Sequence, residues 1–365
     1  MSLNLSALQR LGWNSFFAAQ ISDDDRAAGL VPARVAEENR GFYRILAESA
    51  SWQAELAGRL RHDAVTREEL PAVGDWVLAK SRPGEDRAII HRVLPRRTVF
   101  SRKVAGKKVE EQIVAANVDT ILLVTALNRD FNLRRIERYL SVAWDSGARP
   151  VVILNKSDLA ENAASLRNEA ESVALGVRIL VTSATRGDGL DGLRDLIRDA
   201  GTTALLGSSG VGKSTLINAI LGEDRLATAD VRESDDRGRH TTTSRQLTLV
   251  PGGGVLIDTP GMRELQLWDT SSGLEHAFAD IEDLAARCKF RDCTHNAEPG
   301  CAVRAAINDA ALDAARLDNF HKLEREEEFL ASKKDLSLRV QRNKAVKKIM
   351  KAQKELYQRR NRERK

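Results

Sequence analysis

The stretch that decides the fold is Gly207-Ser208-Ser209-Gly210-Val211-Gly212-Lys213-Ser214-Thr215. It follows a short apolar run at 203–206 and precedes a helix-like stretch at 215–221. In such a strand-loop-helix unit, glycines let backbone N–H groups turn toward phosphate, a lysine reaches the β- and γ-phosphates, and a serine hydroxyl ligates Mg²⁺. The stretch therefore predicts a phosphate-binding loop, in which Lys213 acts in binding and catalysis and Ser214 binds Mg²⁺.

A second motif, Asn155-Lys156-Ser157-Asp158, lies earlier in the chain and directly follows the predicted strand 150–154. The Asp158 carboxylate can accept hydrogen bonds from N1–H and the N2 amino group of guanine, and adenine lacks both donors. Asn155 would position the loop, and the Lys156 stem would lie over the purine ring. Taken alone, these residues fit a helix-capping turn equally well. Together with a phosphate loop, they predict a guanine site.

Two further strand ends are expected to complete the nucleotide site. Ser183 and Ala184 follow a predicted strand and would give backbone contacts to the base. Asp258-Thr259-Pro260-Gly261 follows the apolar run at 255–257. Asp258 would hold Mg²⁺ through water, and the Gly261 N–H would meet the γ-phosphate, so that loss of this phosphate releases the loop.

The polar segment before Asp258 should supply one more Mg²⁺ ligand, which binds only when GTP is present. It contains three consecutive threonines. We favour Thr242, with Thr241 and Thr243 as alternatives in register, and we count Thr242 among the catalytic residues.

A water-positioning group is also needed. Met262 stands where Ras-like enzymes place a glutamine, and a thioether cannot orient the attacking water. His240, beside the threonines, is the nearest titratable candidate for this catalytic role. The alternative is that His240 is an exposed loop residue that contacts RNA or a partner.

The order of the motifs predicts a circular permutation, because the phosphate loop opens the domain in most GTPases and here the guanine motif precedes it. Strands alternate with helical stretches from about residue 117 to 270, which is typical of a doubly wound α/β domain. All the loops should still meet at the carboxyl edge of one parallel sheet. The segment after Asp258 then runs directly into the C-terminal part of the chain.

The three cysteines of the chain lie within 14 residues, and together with one histidine they form the pattern C-x4-C-x-H-x5-C. Cys288, Cys293, His295 and Cys301 suit one tetrahedral Zn²⁺, and four protein ligands make a structural site rather than a catalytic one. The alternative is a set of ordinary buried thiols with a surface histidine. The odd cysteine count argues against disulfides and favours a reducing cytoplasm.

The pattern of predicted strands and helices along the chain indicates a multidomain α/β protein. Short alternating runs separated by turn residues indicate an OB-fold β-barrel before the GTPase domain. The predicted segments are an N-terminal extension (1–32), the OB-fold barrel (33–105), a circularly permuted P-loop GTPase domain (106–270), an α-helical zinc-binding domain (271–332) and a basic tail (333–365). The leucine-rich and aromatic extension should form a short helix that needs a partner surface.

Charge is concentrated at the C-terminus. Residues 333–365 hold 14 Lys or Arg and three Asp or Glu, a net charge of +11, so the first 332 residues carry −6 of the overall +5. This run favours RNA contact over a solubility tail or an acidic protein partner. We expect no signal peptide and no membrane span.

The barrel carries aromatic and basic residues that would suit RNA, although either tryptophan could equally be a core residue. These residues are Trp52, Trp76, Arg96, Arg97, Arg102 and Lys103.

The combined motif order, preceded by a small barrel and followed by the cysteine cluster, resembles the ribosome small-subunit-dependent GTPases of the RsgA (YjeQ/YloQ) family over about residues 33–330. The resemblance implies a bacterial cytoplasmic enzyme that binds GTP and GDP. It also implies binding to the 30S subunit and its 16S rRNA, and GTP hydrolysis on ribosome stimulation, late in 30S maturation. The family's proposed catalytic histidine maps to His240, and its zinc ligands map to the cysteine cluster. The N-terminal extension and the basic tail map to no common family pattern.

Two other functions compete with this interpretation. The first is an RNA-binding scaffold whose attachment is gated by GTP while hydrolysis is incidental. The second is an ATP-dependent P-loop enzyme that acts on a small molecule, which Asp158 disfavours. We expect a monomer.

Overall fold

The computed structural model describes residues 5–39, 41–64, 66–82, 84–103, 111–222, 246–258 and 271–332. Within these ranges, no helix combines the length and the apolar character that crossing a membrane requires.

A closed barrel forms the N-terminal part of the fold. Its strands, five among the described residues, are β1 (Val31–Asn39), β2 (Phe42–Leu46), β3 (Ser51–Leu56), β4 (Trp76–Ser81) and β5 (Arg87–Val93). They pair in the order β1-β2-β3-β5-β4, and the pairing of β4 with β1 closes the barrel. Only β3 and β5 run parallel among these pairs. Alternate residues such as Val35, Ile45, Val77 and Ile90 fill the interior, which is the period-two pattern that the sequence shows.

Three short helices precede the barrel: α1 (Leu5–Arg10), α2 (Ser15–Ala18) and α3 (Asp23–Ala27). A fourth, α4 (Gly58–Asp63), connects β3 to the segment before β4. The partner surface that the N-terminal extension needs is supplied by this chain. Trp13 packs edge-on against Trp76 with ring centroids 4.7 Å apart, and Phe17 lies 5.9 Å from the same indole.

Among the barrel residues expected to suit RNA, Trp76 takes the core role that the sequence left as the alternative, and Arg96 is largely buried in an ion pair, whereas Arg97 is exposed and its contact with RNA stays a prediction. Trp76 is fully buried beneath the N-terminal helices. Arg96 donates to both carboxylate oxygens of buried Asp75, at 2.7 and 2.8 Å, and Arg97 donates to Asp119 at 3.1 Å. Arg96 therefore stabilises the fold, because a buried carboxylate such as that of Asp75 requires a cation beside it. Trp52 is half-buried, and the side chains of Arg102 and Lys103 lie outside the described part of the structure.

The part of the fold that follows the barrel is a doubly wound sheet. A hairpin of β6 (Val99–Lys103) and β7 (Glu111–Ala116) leads into it. Its strands are β8 (Thr120–Ala126), β9 (Arg149–Asn155), β10 (Arg178–Val181), β11 (Thr202–Leu206), β12 (Gln246–Leu249) and β13 (Val255–Asp258). The spatial order is β10-β9-β8-β11-β13-β12, with β12 antiparallel to β13 and the other neighbours parallel. The predicted domain boundary at 105/106 lies between the paired strands β6 and β7, and the domain limits stay predictions.

Helices cover both faces of this sheet, because its parallel strands are apolar on both sides. They are α5 (Leu133–Asp145), α6 (Ala163–Val173), α7 (Leu190–Ala200) and α8 (Lys213–Leu221). Strand β12 also pairs with barrel strand β1 through Glu37 and Gln246, which joins the barrel to the sheet.

The C-terminal module is helical, as predicted, and consists of α9 (Ser271–Ala277), α10 (Ala279–Ala285), α11 (Ala302–Asn308) and α12 (314–332). It docks on α5. The approach is close at Gly273, where an added Cβ would lie 2.2 Å from the carbonyl oxygen of Ser141. A side chain at this position would push the module away from α5.

Arg34 joins the barrel to the GTPase sheet. Its side chain is buried, with only 1% of its surface exposed, and it donates hydrogen bonds to four groups. The acceptors are the carbonyl oxygens of Leu11, Gly74 (3.2 Å) and Asn117 (3.1 Å) and the hydroxyl of Thr202 (2.8 Å). Burial lowers the pKa of Arg34 to about 10, and the negative charges of Asp119 and Asp75 oppose this shift.

We predict that Arg34→Met destabilises the protein by about 3 kcal/mol, because it leaves several buried acceptors without a donor. Thermal unfolding followed by circular dichroism measures the effect. Arg44→Met is the control, since Arg44 is part of a partly exposed pair with Glu37 and should change stability by less than about 1 kcal/mol. Equal effects of the two substitutions would contradict this role for Arg34.

Candidate functional site

The phosphate loop lies between the end of β11 and the start of α8, as the sequence predicts. Two of its glycines are required by close approach. A Cβ on Gly207 would lie 2.3 Å from the carbonyl oxygen of Val124. Gly212 has a φ of +91°, and a Cβ there would lie 2.6 Å from Nδ2 of Asn155. The glycine spacing therefore reflects contacts with β8 and with the predicted guanine motif.

The Lys213 ammonium closes this loop on itself. Its Nζ donates to the carbonyl oxygens of Gly207 and Ser208, both at 2.6 Å. Exposed positions on the loop and on the first turn of α8 are Ser209, Gly210 and Ser214, and Thr215 is half-buried. A phosphate at this loop could take the place of the two carbonyl oxygens as the partner of the ammonium.

Asp258 lies at the end of β13, the parallel neighbour of β11. Burial raises the pKa of Asp258 above its usual value, and the nearby positive charge of Lys213 opposes this shift. The sheet therefore brings a carboxylate and the loop lysine together, although 45 residues separate them in the sequence. Carboxylate oxygens are ligands that Mg²⁺ accepts, directly or through water.

Asn155 joins the predicted guanine motif to the phosphate loop. Its Nδ2 donates to the carbonyl oxygen of Val211 at 3.0 Å. Its Oδ1 accepts from the Thr182 hydroxyl at 3.2 Å and from the Ala184 N–H at 3.3 Å. With only 1% of its surface exposed, the amide is fixed in one orientation by these partners. Three loops that are far apart in the sequence thus meet at one side chain.

Asp158 is held by the neighbouring loop. The Ser183 hydroxyl donates to Oδ1 of Asp158 at 2.6 Å, and the Arg186 N–H donates to the Ser183 oxygen at 3.1 Å. The hydrogen bond from Ser183 lowers the pKa of Asp158 below its usual value, despite some burial. The carboxylate is therefore ionised at neutral pH and acts only as an acceptor. Lys156, two residues earlier, has a left-handed backbone with φ of +62°.

Two residues near this site were missed in the sequence analysis. Thr182 orients Asn155, and its carbonyl oxygen also accepts from the Ser157 N–H at 3.1 Å. Its position just before Ser183, at a strand end, was a usable signal. Tyr139 of α5 places its hydroxyl 3.2 Å from the Ser208 Oγ. No motif in the sequence singles out Tyr139 within its helix.

The predicted switch residues His240, Thr242 and Gly261 lie outside the described residues. The choice of Thr242 over Thr241 and Thr243 therefore stays a prediction.

The cysteine cluster is assembled between α10 and α11. The ligand atoms of Cys288, Cys293, His295 and Cys301 all lie within 4.8 Å of one another. The His295 Nδ1 is 3.7 Å from the Cys288 sulfur and 3.6 Å from the Cys301 sulfur. Three sulfurs and one imidazole nitrogen at this spacing fit a single tetrahedral metal ion, and Zn²⁺ prefers this donor set.

The surroundings of the cluster favour the metal-binding forms of Cys288 and His295, whereas burial raises the pKa of Cys293 to about 11. Burial opposes ionisation of Cys288, but the N–H groups of Ala302 and Val303, at the start of α11, lower the pKa of this thiol. Burial also lowers the pKa of His295, which keeps the imidazole neutral. The cluster thus favours a thiolate at Cys288 and a neutral ring at His295.

Glu298 organises the loop that carries His295. Its Oε1 accepts from the Thr294 N–H at 2.8 Å and from the Thr294 hydroxyl at 2.5 Å. Its Oε2 accepts from the N–H groups of Asn296 and Ala297, both at 3.0 Å. The bonds from Thr294 lower the pKa of Glu298 to about 2. No pattern in the sequence points to this role of Glu298.

Comparisons with known proteins agree with this geometry. A family model described as RsgA GTPase matches residues 93–268. A protein of Opitutus terrae named small ribosomal subunit biogenesis GTPase RsgA is 48% identical over 337 residues, which cover 90% of this chain and 92% of that protein. A protein of Syntrophotalea carbinolica with the same name is 45% identical and covers 86% and 88% of the two chains.

The solved structures give the same result. The crystal structure of YjeQ from Thermotoga maritima matches with a TM-score of 0.61 and 27% identity, over 82% of this chain and 98% of that one. The structure of YloQ, described as a circularly permuted GTPase, matches with a TM-score of 0.57 and 25% identity, over 84% and 96%. The predicted fold class and family are confirmed. The chain belongs to the RsgA GTPase family and is a GTP hydrolase with a circularly permuted domain.

Proposed function

We propose that this GTPase acts in the biogenesis of the small (30S) ribosomal subunit. It binds the subunit and its 16S rRNA, and it hydrolyses GTP when the subunit stimulates it, late in maturation. It works in the cytoplasm as a monomer. The nucleotide part of the proposal rests on the hydrogen bond from Asn155 to Val211, which joins a base-reading loop to a phosphate loop. The ribosomal part rests on relatives up to 48% identical that are named small ribosomal subunit biogenesis GTPases.

The guanine base is bound by two loops in this proposal. Asp158 accepts from N1–H and the N2 amino group, and Ser183 keeps its carboxylate ionised and in place. The Lys156 stem covers the ring, and the Ser183 and Ala184 backbone contacts the base O6. Asn155 and Ser157 shape the loop.

The triphosphate lies on the loop from Gly207 to Thr215. Its oxygens replace the carbonyl partners of Lys213, so that the ammonium stabilises charge on the β- and γ-phosphates. Ser214, Asp258 and Thr242 hold Mg²⁺, and the Gly261 N–H meets the γ-phosphate. When bound, Mg²⁺ neutralises the charge that develops on the phosphate oxygens. His240 orients the attacking water or accepts its proton.

A surface for RNA surrounds the cysteine cluster. Lys289, Phe290 and Arg291 are exposed on the cluster loop, and Arg287 and Arg304 are exposed beside it. The tail at 333–365 adds its net charge of +11. Contacts of such cations with phosphates release counterions and weaken steeply with added salt.

The first test concerns the base. Asp158→Asn should weaken GTP binding by about a hundredfold or more, because it replaces a doubly accepting carboxylate with an amide that has one acceptor oxygen and one NH2 donor group. The same variant should gain affinity for xanthosine triphosphate, whose C2 carbonyl accepts from that donor. Equilibrium binding of fluorescent nucleotides measures both. Asp188→Asn, at an exposed carboxylate in the loop after β10, is the control. Unchanged GTP binding in Asp158→Asn would remove this residue from the site.

The second test concerns the metal. Purified protein should contain one zinc per chain by mass spectrometry of the metal, and His295→Asn should lose most of it. His276→Asn replaces an exposed histidine of the same module and should keep the zinc. Glu298→Gln should release zinc to a chelator faster than the unmodified protein, because the loop is then less well ordered. Full zinc content in His295→Asn would rule out the proposed ligand set.

The third test concerns ribosomal activation. GTP turnover should rise when purified 30S subunits are added, and the stimulation should fall at the higher of two salt concentrations. His240→Ala should reduce stimulated turnover by about a hundredfold. His62→Ala, at an exposed barrel histidine, is the control. If His240→Ala changes neither stimulated turnover nor release from the subunit, the enzymatic role of His240 is wrong. Binding gated by GTP without stimulated turnover would favour the scaffold interpretation.

A further inference from the structure

Helix α5 contacts the phosphate loop through Tyr139. The Tyr139 hydroxyl lies 3.2 Å from the Ser208 Oγ, and only 8% of the tyrosine surface is exposed. The carbonyl oxygen of Ser208 also accepts from Lys213 at 2.6 Å. Tyr139 and the loop lysine therefore both contact Ser208, Tyr139 at its hydroxyl and Lys213 at its carbonyl oxygen.

The same helix anchors the C-terminal module through Glu137. This carboxylate is fully buried. Its Oε1 accepts from Arg316 at 2.8 Å and from Arg134 at 2.6 Å, and its Oε2 accepts from Asn319 at 2.6 Å. Arg316 and Asn319 both belong to α12. The module is thus fixed to α5 by a buried charge that must stay paired.

Arg316 extends this anchor into the rest of the module. It donates to both carboxylate oxygens of Asp280, at 2.7 and 2.8 Å, and to the Ala277 carbonyl oxygen at 2.9 Å. Its guanidinium also lies over the Phe278 ring, 4.8 Å from the centroid. The helices α9, α10 and α12 therefore converge on one carboxylate of α5.

Tyr139 and Glu137 are two residues apart on one continuous helix, so they lie on different sides of it and move together. Close packing at Gly273 leaves no gap between α5 and α9. Tyr139 therefore resists any displacement of the phosphate loop that moves Ser208. Through α5, such a displacement also acts on the anchor at Glu137.

We propose that Tyr139 is a positioning residue for the phosphate loop, and that α5 couples nucleotide occupancy to the docking of the module at 271–332 through Glu137. The inference rests on the proposed nucleotide site and adds a residue and a form of regulation to it. Because coupling free energies are reciprocal, bound nucleotide must change the docking of the module as much as docking changes nucleotide affinity.

The first measurement is the affinity of the full-length protein for fluorescent GDP and a non-hydrolysable GTP analogue. Tyr139→Phe and Ser208→Ala each remove one partner of the hydrogen bond and should weaken binding about threefold to tenfold. The double variant should bind nucleotide no more weakly than whichever single variant binds it less tightly, because both changes remove the same contact. Tyr43→Phe, at a buried tyrosine of the barrel, is the control with unchanged affinity.

The second measurement is hydrogen exchange of residues 271–332 with and without GDP. GDP should alter exchange there in the unmodified protein and in Tyr43→Phe, and this effect should be lost in Tyr139→Phe. Asn319→Ala removes one partner of Glu137 and leaves its two arginine partners. This substitution should change GDP affinity about threefold when made in the unmodified protein, and it should have no effect on GDP affinity when made in the Tyr139→Phe variant.

Normal affinity in Tyr139→Phe, additive effects with Ser208→Ala, or a GDP effect on the module that survives in Tyr139→Phe would each overturn the inference. These outcomes leave the proposed nucleotide site standing. Failure of the unmodified protein to bind guanine nucleotides would overturn the proposed function, and the inference with it.

Discussion

The nucleotide site depends on one constraint, the parallel pairing of β8 with both β9 and β11. This pairing brings the loops after β9 and β11 to one edge of the sheet, and the side chain of Asn155 then joins them through Val211. The amide nitrogen donates to the predicted phosphate loop, and the amide oxygen accepts from Thr182 and Ala184. Hydrogen bonds between groups of the protein itself therefore join the two loops.

The circular permutation changes the order of these loops in the chain and not their place in the sheet. Strand β11 still lies between β8 and β13, so the loop lysine still meets Asp258. What the permutation changes is the element that follows the sheet. After Asp258, the next described helix is α9, which packs on α5, the helix whose Tyr139 contacts Ser208 of the predicted phosphate loop. The predicted γ-phosphate sensor that begins at Asp258 and the C-terminal helical module are thus neighbours in the sequence.

Rigid connections between the parts of the molecule are made by buried charges. Arg34 fixes the barrel and the N-terminal helices to the GTPase sheet, and Arg316 with Glu137 fixes the C-terminal module to α5. Each of these groups would be costly to bury without its partners, so the relative placement of the parts is specified more sharply than apolar packing alone would achieve. Such connections suit a protein in which a structural change at one site alters the structure at another.

The sequence by itself determined the local chemistry. The predicted phosphate loop, the predicted guanine motif and the possible metal ligands around Cys288 each lie in a short stretch whose residue types and spacing indicate its chemistry, and the barrel followed from alternation and turn residues. Only the tertiary structure decided which residues join these parts. Arg96 looked like an RNA ligand and is the partner of buried Asp75, and Tyr139, which no motif singled out, contacts Ser208. Such roles depend on contacts between residues far apart in the chain, which no local pattern records.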